Sequence, residues 1–168
     1  MTSCFVPNAS LVDLGPGAQV SLFGFRACSA GQTKCCCLLK LFQQTFGPER
    51  GGPALGLLMK LSDRLGSKGH RRLEVAEPNA VRLPHDEASL LSALSAAQDD
   101  DAARACAHLT WLFARGPNEY EETLLFDLVD FFSVRGLEIN TPEDGAQLSL
   151  HRPEKLRCAP SLALVGRA

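Results

Sequence analysis

The amino-acid sequence predicts a mainly α-helical protein, a compact bundle of about six helices with one short β-hairpin and a mobile C-terminal tail. Apolar residues recur at helical spacing in six separate segments. Glycine, proline and helix-capping residues separate these segments, which indicates short connections between helices. We expect one helical domain over residues 17–140, with a loose leader at 1–16 and an irregular tail at 141–168.

The strongest helix prediction covers residues 118–135. Its apolar side chains share about half of the helix circumference: Tyr120, Leu124, Leu125, Leu128, Val129, Phe131 and Phe132. Asn118 is a suitable N-cap, and Gly136 can adopt the left-handed conformation that ends a helix. An apolar arc of this width suits a helix with neighbours on several sides, so we expect the other helices to pack around it.

Three helices are predicted in the first half of the chain, at residues 19–30, 34–46 and 54–65. Thr33 is the expected N-cap of the second helix. Gly24 weakens the first helix by about 1 kcal/mol relative to alanine. A single apolar stripe runs along the second helix: Cys35, Leu38, Leu39, Phe42 and Phe46. This stripe predicts that the second helix packs one face into the core.

The stretch before the fourth helix lacks helical periodicity. Residues 73–83 contain two short runs of strand-forming residues around Pro78-Asn79, which indicates a possible β-hairpin. Helices are expected after it at 86–98 and 102–115, and the aspartates at 99–101 separate them and cap the second.

Composition limits the class of protein. The chain has 168 residues, of which 45% are apolar, so it can bury a substantial core. No apolar run approaches the roughly 20 residues of a membrane-spanning helix, and the start lacks the pattern of a secretory signal. Seven cysteines, an odd number, favour reduced thiols over a disulfide framework. The abundance of Gly, Ala, Leu and Arg is typical of a GC-rich genome. Together these features predict a cytoplasmic bacterial protein.

The formal net charge of −2 is unevenly distributed. Residues 1–84 contain ten Lys/Arg and five Asp/Glu, whereas residues 85–168 contain seven and fourteen. We expect the two oppositely charged halves to attract each other within the fold. The alternative is a basic patch for nucleic acid.

The consecutive cysteines Cys35, Cys36 and Cys37 are the most unusual local feature. Cys28, Cys36 and Cys37 are candidate metal ligands, but no C-x2–4-C pair is present, and adjacent helical residues point about 100° apart. We therefore predict no metal site and no cofactor. Cys35 is assigned to the core, and Cys36, in the first helical turn, is the candidate redox thiol because the helix dipole favours a thiolate there.

No recognised catalytic motif appears. The four histidines are scattered, and neither G-x-S-x-G nor a P-loop is present. The segment 66–69, Gly-Ser-Lys-Gly, resembles a phosphate loop in composition alone. The sequence therefore favours a protein that is not an enzyme.

Four basic residues mark a possible nucleic-acid site on the predicted hairpin region 68–82: Lys68, Arg71, Arg72 and Arg82. A basic hairpin beside helices resembles a winged arrangement. The next helix begins with Asp86 and Glu87, which would repel phosphate, so this hypothesis is not favoured.

The function expected from these features is a non-enzymatic protein-interaction or regulatory module. Its partner is expected to be another protein, with no membrane involved. The acidic face of the last helix is the candidate partner surface: Glu119, Glu122, Asp127 and Asp130. The alternatives are a nucleic-acid-binding regulator that uses region 68–82, and a redox sensor or metal-binding protein that uses Cys28 and residues 35–37.

Overall fold

A computed structural model describes residues 10–141 of the chain. Those residues form one short 3-10 helix and six α-helices. The 3-10 helix is Leu11–Asp13, and the α-helices are α1 Pro16–Ser29, α2 Cys36–Phe46, α3 Gly51–Lys68, α4 His85–Gln98, α5 Ala102–Phe113 and α6 Glu119–Val134. The prediction of a mainly helical, bundle-like fold is confirmed. No α-helix in this range is long and apolar enough to cross a membrane.

Local capping chemistry explains where several helices begin. Pro16 opens α1 because its fixed φ suits the first helical position. The side chain of Asp101 accepts from the amide of Arg104 at the start of α5. Asn118 and Glu121 form a reciprocal capping box at the start of α6. These caps involve neighbours within three residues, so they form without help from the rest of the fold.

The most deeply buried helix is α4, in which ten of fourteen residues are buried. Helix α3 contacts α1, α2, α5 and α6. The expectation that α6 would be the centre of the bundle is therefore wrong. Residues such as Leu128 in α6 pack on α3 and α4, but Tyr120, assigned to its apolar arc, is 50% exposed.

An aromatic cluster joins α2 to α6. The ring of Phe46 lies 4.9 Å from that of Phe132 and 6.3 Å from that of Phe131, both edge-on.

Gly24 of α1 faces the same side of α2, where a Cβ atom would lie 2.5 Å from Leu58 Cδ2 and 2.9 Å from Phe42 Cζ. Gly24 is therefore required for the close approach of α1 to its neighbours.

Residues 69–84 connect α3 to α4 without forming the predicted hairpin. The one β pairing in the described part of the chain is an isolated antiparallel bridge between Ser10 and Arg82, supported by a 3.0 Å bond from the Leu11 amide to the Val81 carbonyl. The hairpin prediction is not supported: the two predicted strands are not paired with each other, and several backbone groups of this linker bond to buried side chains of α1 and α4.

The predicted leader at 1–16 overlaps the described residues only from 10 onward. There it packs on the fold, since Leu14 is buried. The rest of the leader, 1–9, and the predicted mobile tail from 142 to 168 lie outside the described residues.

Candidate ligand-binding cleft

An open cleft of about 1000 Å³ lies between the C-terminal end of α1, the second half of α3 and the first part of the linker. Its apolar lining comes from all three elements: Phe25, Met59, Leu65, Leu73 and Val75. Hydroxyl groups of Ser29, Thr33 and Ser62 are also present at the cleft. The cleft thus combines an apolar interior with a few groups that can form hydrogen bonds.

Charged side chains of both signs line the cleft, and the cations outnumber the acids. Lys60, Arg71 and Arg72 contribute positive charge, and Asp63 contributes negative charge. Within residues 10–141, Lys60 and Arg72 take part in no ion pair. These two exposed cations are available to a ligand.

Arg71 is instead bound by the protein itself. Its guanidinium forms a bidentate ion pair with Asp86 and lies 5.1 Å from the Trp111 ring. The amide of Glu74 also donates to Asp86, at 2.7 Å. Burial would raise the pKa of Asp86, but the hydrogen bonds from Arg71 and Glu74 lower it below its ordinary value. Asp86 thus remains ionised and holds the linker against α4 and α5.

A second ion pair, fully buried, fixes the far end of the linker. Arg26 of α1 donates from Nε and Nη2 to the two carboxylate oxygens of Glu87, at 2.9 and 2.7 Å, and neither side chain is exposed. Arg26 also donates to the carbonyls of Ala80 and Arg82, and the Ala76 amide donates to Glu87. This network satisfies linker groups that a hairpin would have paired with each other.

A third network of ion pairs is centred on Glu121, beside the end of α3. Its carboxylate accepts from Arg115 at 2.6 and 2.9 Å, from Arg64 at 2.8 and 3.2 Å, and from the Asn118 amide at 3.0 Å. Burial opposes ionisation, but the bonds from Arg115, Asn118 and Arg64 lower the pKa of Glu121 to about 2. Arg115 also donates to the Lys68 carbonyl, which closes the end of α3.

These centres show how the oppositely charged halves of the chain meet. The pairs Arg26–Glu87, Arg64–Glu121 and Arg71–Asp86 each join a base from residues 1–84 to an acid from residues 85–168. The attraction expected between the two halves is therefore present, and much of it is buried.

Several titratable side chains line the cleft. Cys28 lines it, and burial raises the pKa of this thiol, which disfavours the nucleophilic thiolate. Asp63 and His70 also line the cleft, but among the described residues no hydrogen bond joins the side chains of Cys28, Asp63 and His70.

The segment 66–69 does not form a phosphate loop. Gly66, Ser67 and Lys68 belong to the last turn of α3, so their amides face helical carbonyls. The negative end of the helix dipole also lies there. The amides of this segment are therefore not arranged to bind a phosphate group.

The basic residues predicted for nucleic acid do not form one free surface. Arg71 is paired with Asp86, and Arg82 lies 2.8 Å from Glu74 in an exposed ion pair. Lys68 and Arg72 are exposed. The nucleic-acid hypothesis required Arg71, Arg72 and Arg82 to be unpaired on a hairpin, and the described residues contain no such arrangement.

The cysteines are placed differently from the prediction. Cys35 was assigned to the core, but Cys35, Cys36 and Cys37 are all exposed. Cys35 is the N-cap of α2, a position predicted for Thr33, so the helical stripe does not extend to it. Residues 10–141 contain no group of three or more His, Cys, Asp or Glu side chains that could hold a metal ion.

The acidic surface of α6 is largely as expected. Glu119, Asp127 and Asp130 are exposed. Glu122 is half-buried, and the Cys106 thiol lies 3.8 Å from its carboxylate. Three of the four candidate partner residues are thus accessible.

The sequence did not predict the buried pair of Arg26 and Glu87, which holds the far end of the linker. One signal was available, because Arg26 is the one charged residue in an otherwise apolar and small-residue α1. A charged residue on a buried helix needs an opposite charge, but the sequence does not indicate which of the distant acids supplies it.

Comparison with protein-family models, curated proteins and solved structures finds no match.

Proposed function

We propose that this protein is a non-enzymatic regulatory module whose cleft binds a small amphipathic anion and whose acidic surface contacts a protein partner. The cleft of about 1000 Å³ is the observation that carries the proposal. Small-molecule sites occupy roughly 300–1,000 Å³ and are mostly apolar, with a few polar groups that orient the ligand. The cleft has a volume in that range and combines apolar side chains with hydroxyl and charged groups.

Charge favours an anion as the ligand. Lys60 and Arg72 have no acidic partner among the described residues, whereas the charge of Arg71 is balanced by Asp86. Asp63 offsets part of the positive charge. A carboxylate, sulfate or phosphate group would lie near the two free cations, and its apolar part would contact side chains such as Met59.

A binding role fits better than a catalytic one. Burial raises the pKa of the Cys28 thiol, and no base among the described residues is hydrogen-bonded to it. Arg71, which lines the cleft, is held in place by its ion pair with Asp86, which is favourable for a preformed site.

The proposed partner is another protein, and the proposed location is the cytoplasm. Glu119, Asp127 and Asp130 offer an exposed acidic surface that would suit a basic partner surface by charge complementarity. The proposed compartment fits the five free cysteines of the described chain.

Two fluorescent probes that share an apolar body test the cleft. Anilinonaphthalene sulfonate carries an anionic group, and N-phenylnaphthylamine does not. We expect anilinonaphthalene sulfonate to bind more tightly than the uncharged probe. The double variant Lys60→Glu/Arg72→Glu should weaken binding of the sulfonate by about 1–2 kcal/mol, or about five- to thirtyfold in Kd. The uncharged probe should lose little affinity, because its contacts are apolar.

The matched control is Lys40→Glu/Arg50→Glu, which makes the same change in net charge at exposed residues outside the cleft. Circular dichroism verifies that each variant folds. Equal binding of the two probes to the native protein, or equal loss of sulfonate binding in both double variants, would contradict the proposal.

A further inference from the structure

One face of α3 carries charges of both signs into the cleft. Lys60, Asp63 and Ser67 line the cleft from successive turns of α3, and all three are exposed. Their spacing, i, i+3 and i+7, is that of a single helical face. The Cα atoms of Lys60 and Asp63 are therefore about 4.5 Å apart along the helix axis. A ligand that lies along this face meets a positive and a negative charge in neighbouring positions.

The charge of Asp63 is not used by the fold. Residues at i and i+3 on a helix can form an ion pair, but Lys60 and Asp63 do not pair with each other. Within residues 10–141, Asp63 has no other ionic partner either, and its carboxylate accepts no hydrogen bond. Asp86 and Glu121, by contrast, are each bonded by arginine side chains and a backbone amide. Asp63 is thus an acceptor that remains available at the cleft.

We propose that the ligand of the cleft has a zwitterionic head group, in which an anionic group faces Lys60 and Arg72 and an ammonium group faces Asp63. This inference rests on the proposed function, because it assigns the head group of the ligand proposed for the same cleft. The apolar part of that ligand would contact side chains such as Met59 and Leu73. The class of ligand is therefore an amphiphile whose phosphate or carboxylate group is joined to an amine by a short carbon link.

Electrostatic interactions favour such a head group over a purely anionic one. A lone anionic group beside Lys60 is also close to the carboxylate of Asp63, whose repulsion offsets part of the attraction. An added ammonium group turns the contribution of Asp63 from repulsion into attraction. Lys60, Asp63 and Arg72 are all exposed, so water and salt weaken each interaction, and the expected selectivity is a few-fold.

Two phosphate esters with the same alkyl chain test the head group. Dodecylphosphocholine carries the phosphate and a quaternary ammonium group, and its dimethylbutyl analogue has a carbon atom in place of the nitrogen. The two probes therefore have nearly the same shape and differ by one positive charge. Isothermal titration calorimetry with the full chain, below the concentration at which the probes form micelles, measures Kd for each probe. Slower alkylation of Cys28, which lines the cleft, shows that a probe is bound there.

Asp63→Asn should weaken binding of dodecylphosphocholine by about two- to fivefold, because the ammonium group loses its ionic partner. The same variant should bind the dimethylbutyl analogue equally well or up to about twofold more tightly, because the repulsion is removed. Asp127→Asn is the matched control, since it removes an exposed carboxylate outside the cleft. The control should change neither Kd by more than about 1.5-fold. Circular dichroism verifies that both variants fold.

Different results would contradict the zwitterionic head group and the anion site. If Lys60→Glu/Arg72→Glu weakens binding of both probes but Asp63→Asn changes both equally, the zwitterionic head group is refuted and the anion site stands. If neither probe binds, or neither slows the alkylation of Cys28, both proposals fail. Binding to phosphatidylcholine vesicles without binding of the single amphiphile would also overturn the inference, because a membrane surface would then be what the protein recognises.

Discussion

Glu121→Gln should destabilise the fold by about 3 kcal/mol near neutral pH. The pKa of Glu121 is about 2 in the folded protein against an ordinary value of 4.5, and this difference corresponds to about 3 kcal/mol of stability. The carboxylate accepts bonds from Arg64, Arg115 and the Asn118 amide on both oxygens. Glutamine has one acceptor oxygen, and its amide group would face donors, so part of this network must break.

The effect should depend on pH in a defined direction. Because the folded pKa is lowered, the contribution of Glu121 is fully present above about pH 5 and is lost as the pH falls from 4.5 towards 2. At about pH 3 the native protein should have lost about 2 kcal/mol of this contribution. The difference between native protein and variant should then shrink to about 1 kcal/mol. Urea unfolding followed by far-UV circular dichroism at both pH values measures it.

Glu119→Gln is the matched control, since it makes the same chemical change in the same helical turn at an exposed residue. It should cost less than about 1 kcal/mol, because it removes little more than a helix-dipole interaction. A Glu121→Gln effect below about 1 kcal/mol near neutral pH, or one that is equal at both pH values, would refute the reasoning.

Gly24→Ala should cost about 1–3 kcal/mol by overpacking, because its Cβ would lie 2.5 Å from Leu58 Cδ2. In Gly56→Ala, in α3, the added Cβ meets no atom within 4 Å, so this variant should be more stable by up to about 1 kcal/mol. Urea unfolding of both variants measures the two changes in unfolding free energy. Changes of the same sign would contradict the prediction. Arg26→Met should cost about 3–5 kcal/mol, because it leaves Glu87 buried without its partner. In a double-mutant cycle with Glu87→Leu, the two losses should fall short of additivity by about 2 kcal/mol, and additive losses would show that the pair is not coupled.

The helical part of the fold could be predicted because its determinants are local. Asn118 bonds to the amide of Glu121, three residues away, and Gly136, with φ of 64°, follows the end of α6. Apolar spacing likewise identified buried residues such as Leu128. The assignment of Cys35 to the core failed for a local reason too: helical spacing was applied to a cap residue that is not helical.

The linker and the cleft depend on contacts that sequence patterns do not encode. Arg26 and Glu87 are 61 residues apart in the sequence. Arg64 and Glu121 are 57 residues apart. The strand-like runs at 73–83 have the composition of a hairpin. However, the amides of Glu74 and Ala76 donate to the carboxylates of Asp86 and Glu87 instead of to an opposite strand.

The sequence by itself determined the number of helices in the described residues, the N-caps of α5 and α6 and the separation of positive and negative charge along the chain. Those properties arise from interactions within a few residues or from composition. The tertiary structure alone decided that α4 is the buried centre, that the linker is irregular and that a cleft with free Lys60 and Arg72 lies beside it. The physical reason is that a buried charge is tolerated only next to its partner, and folding determines which partner that is.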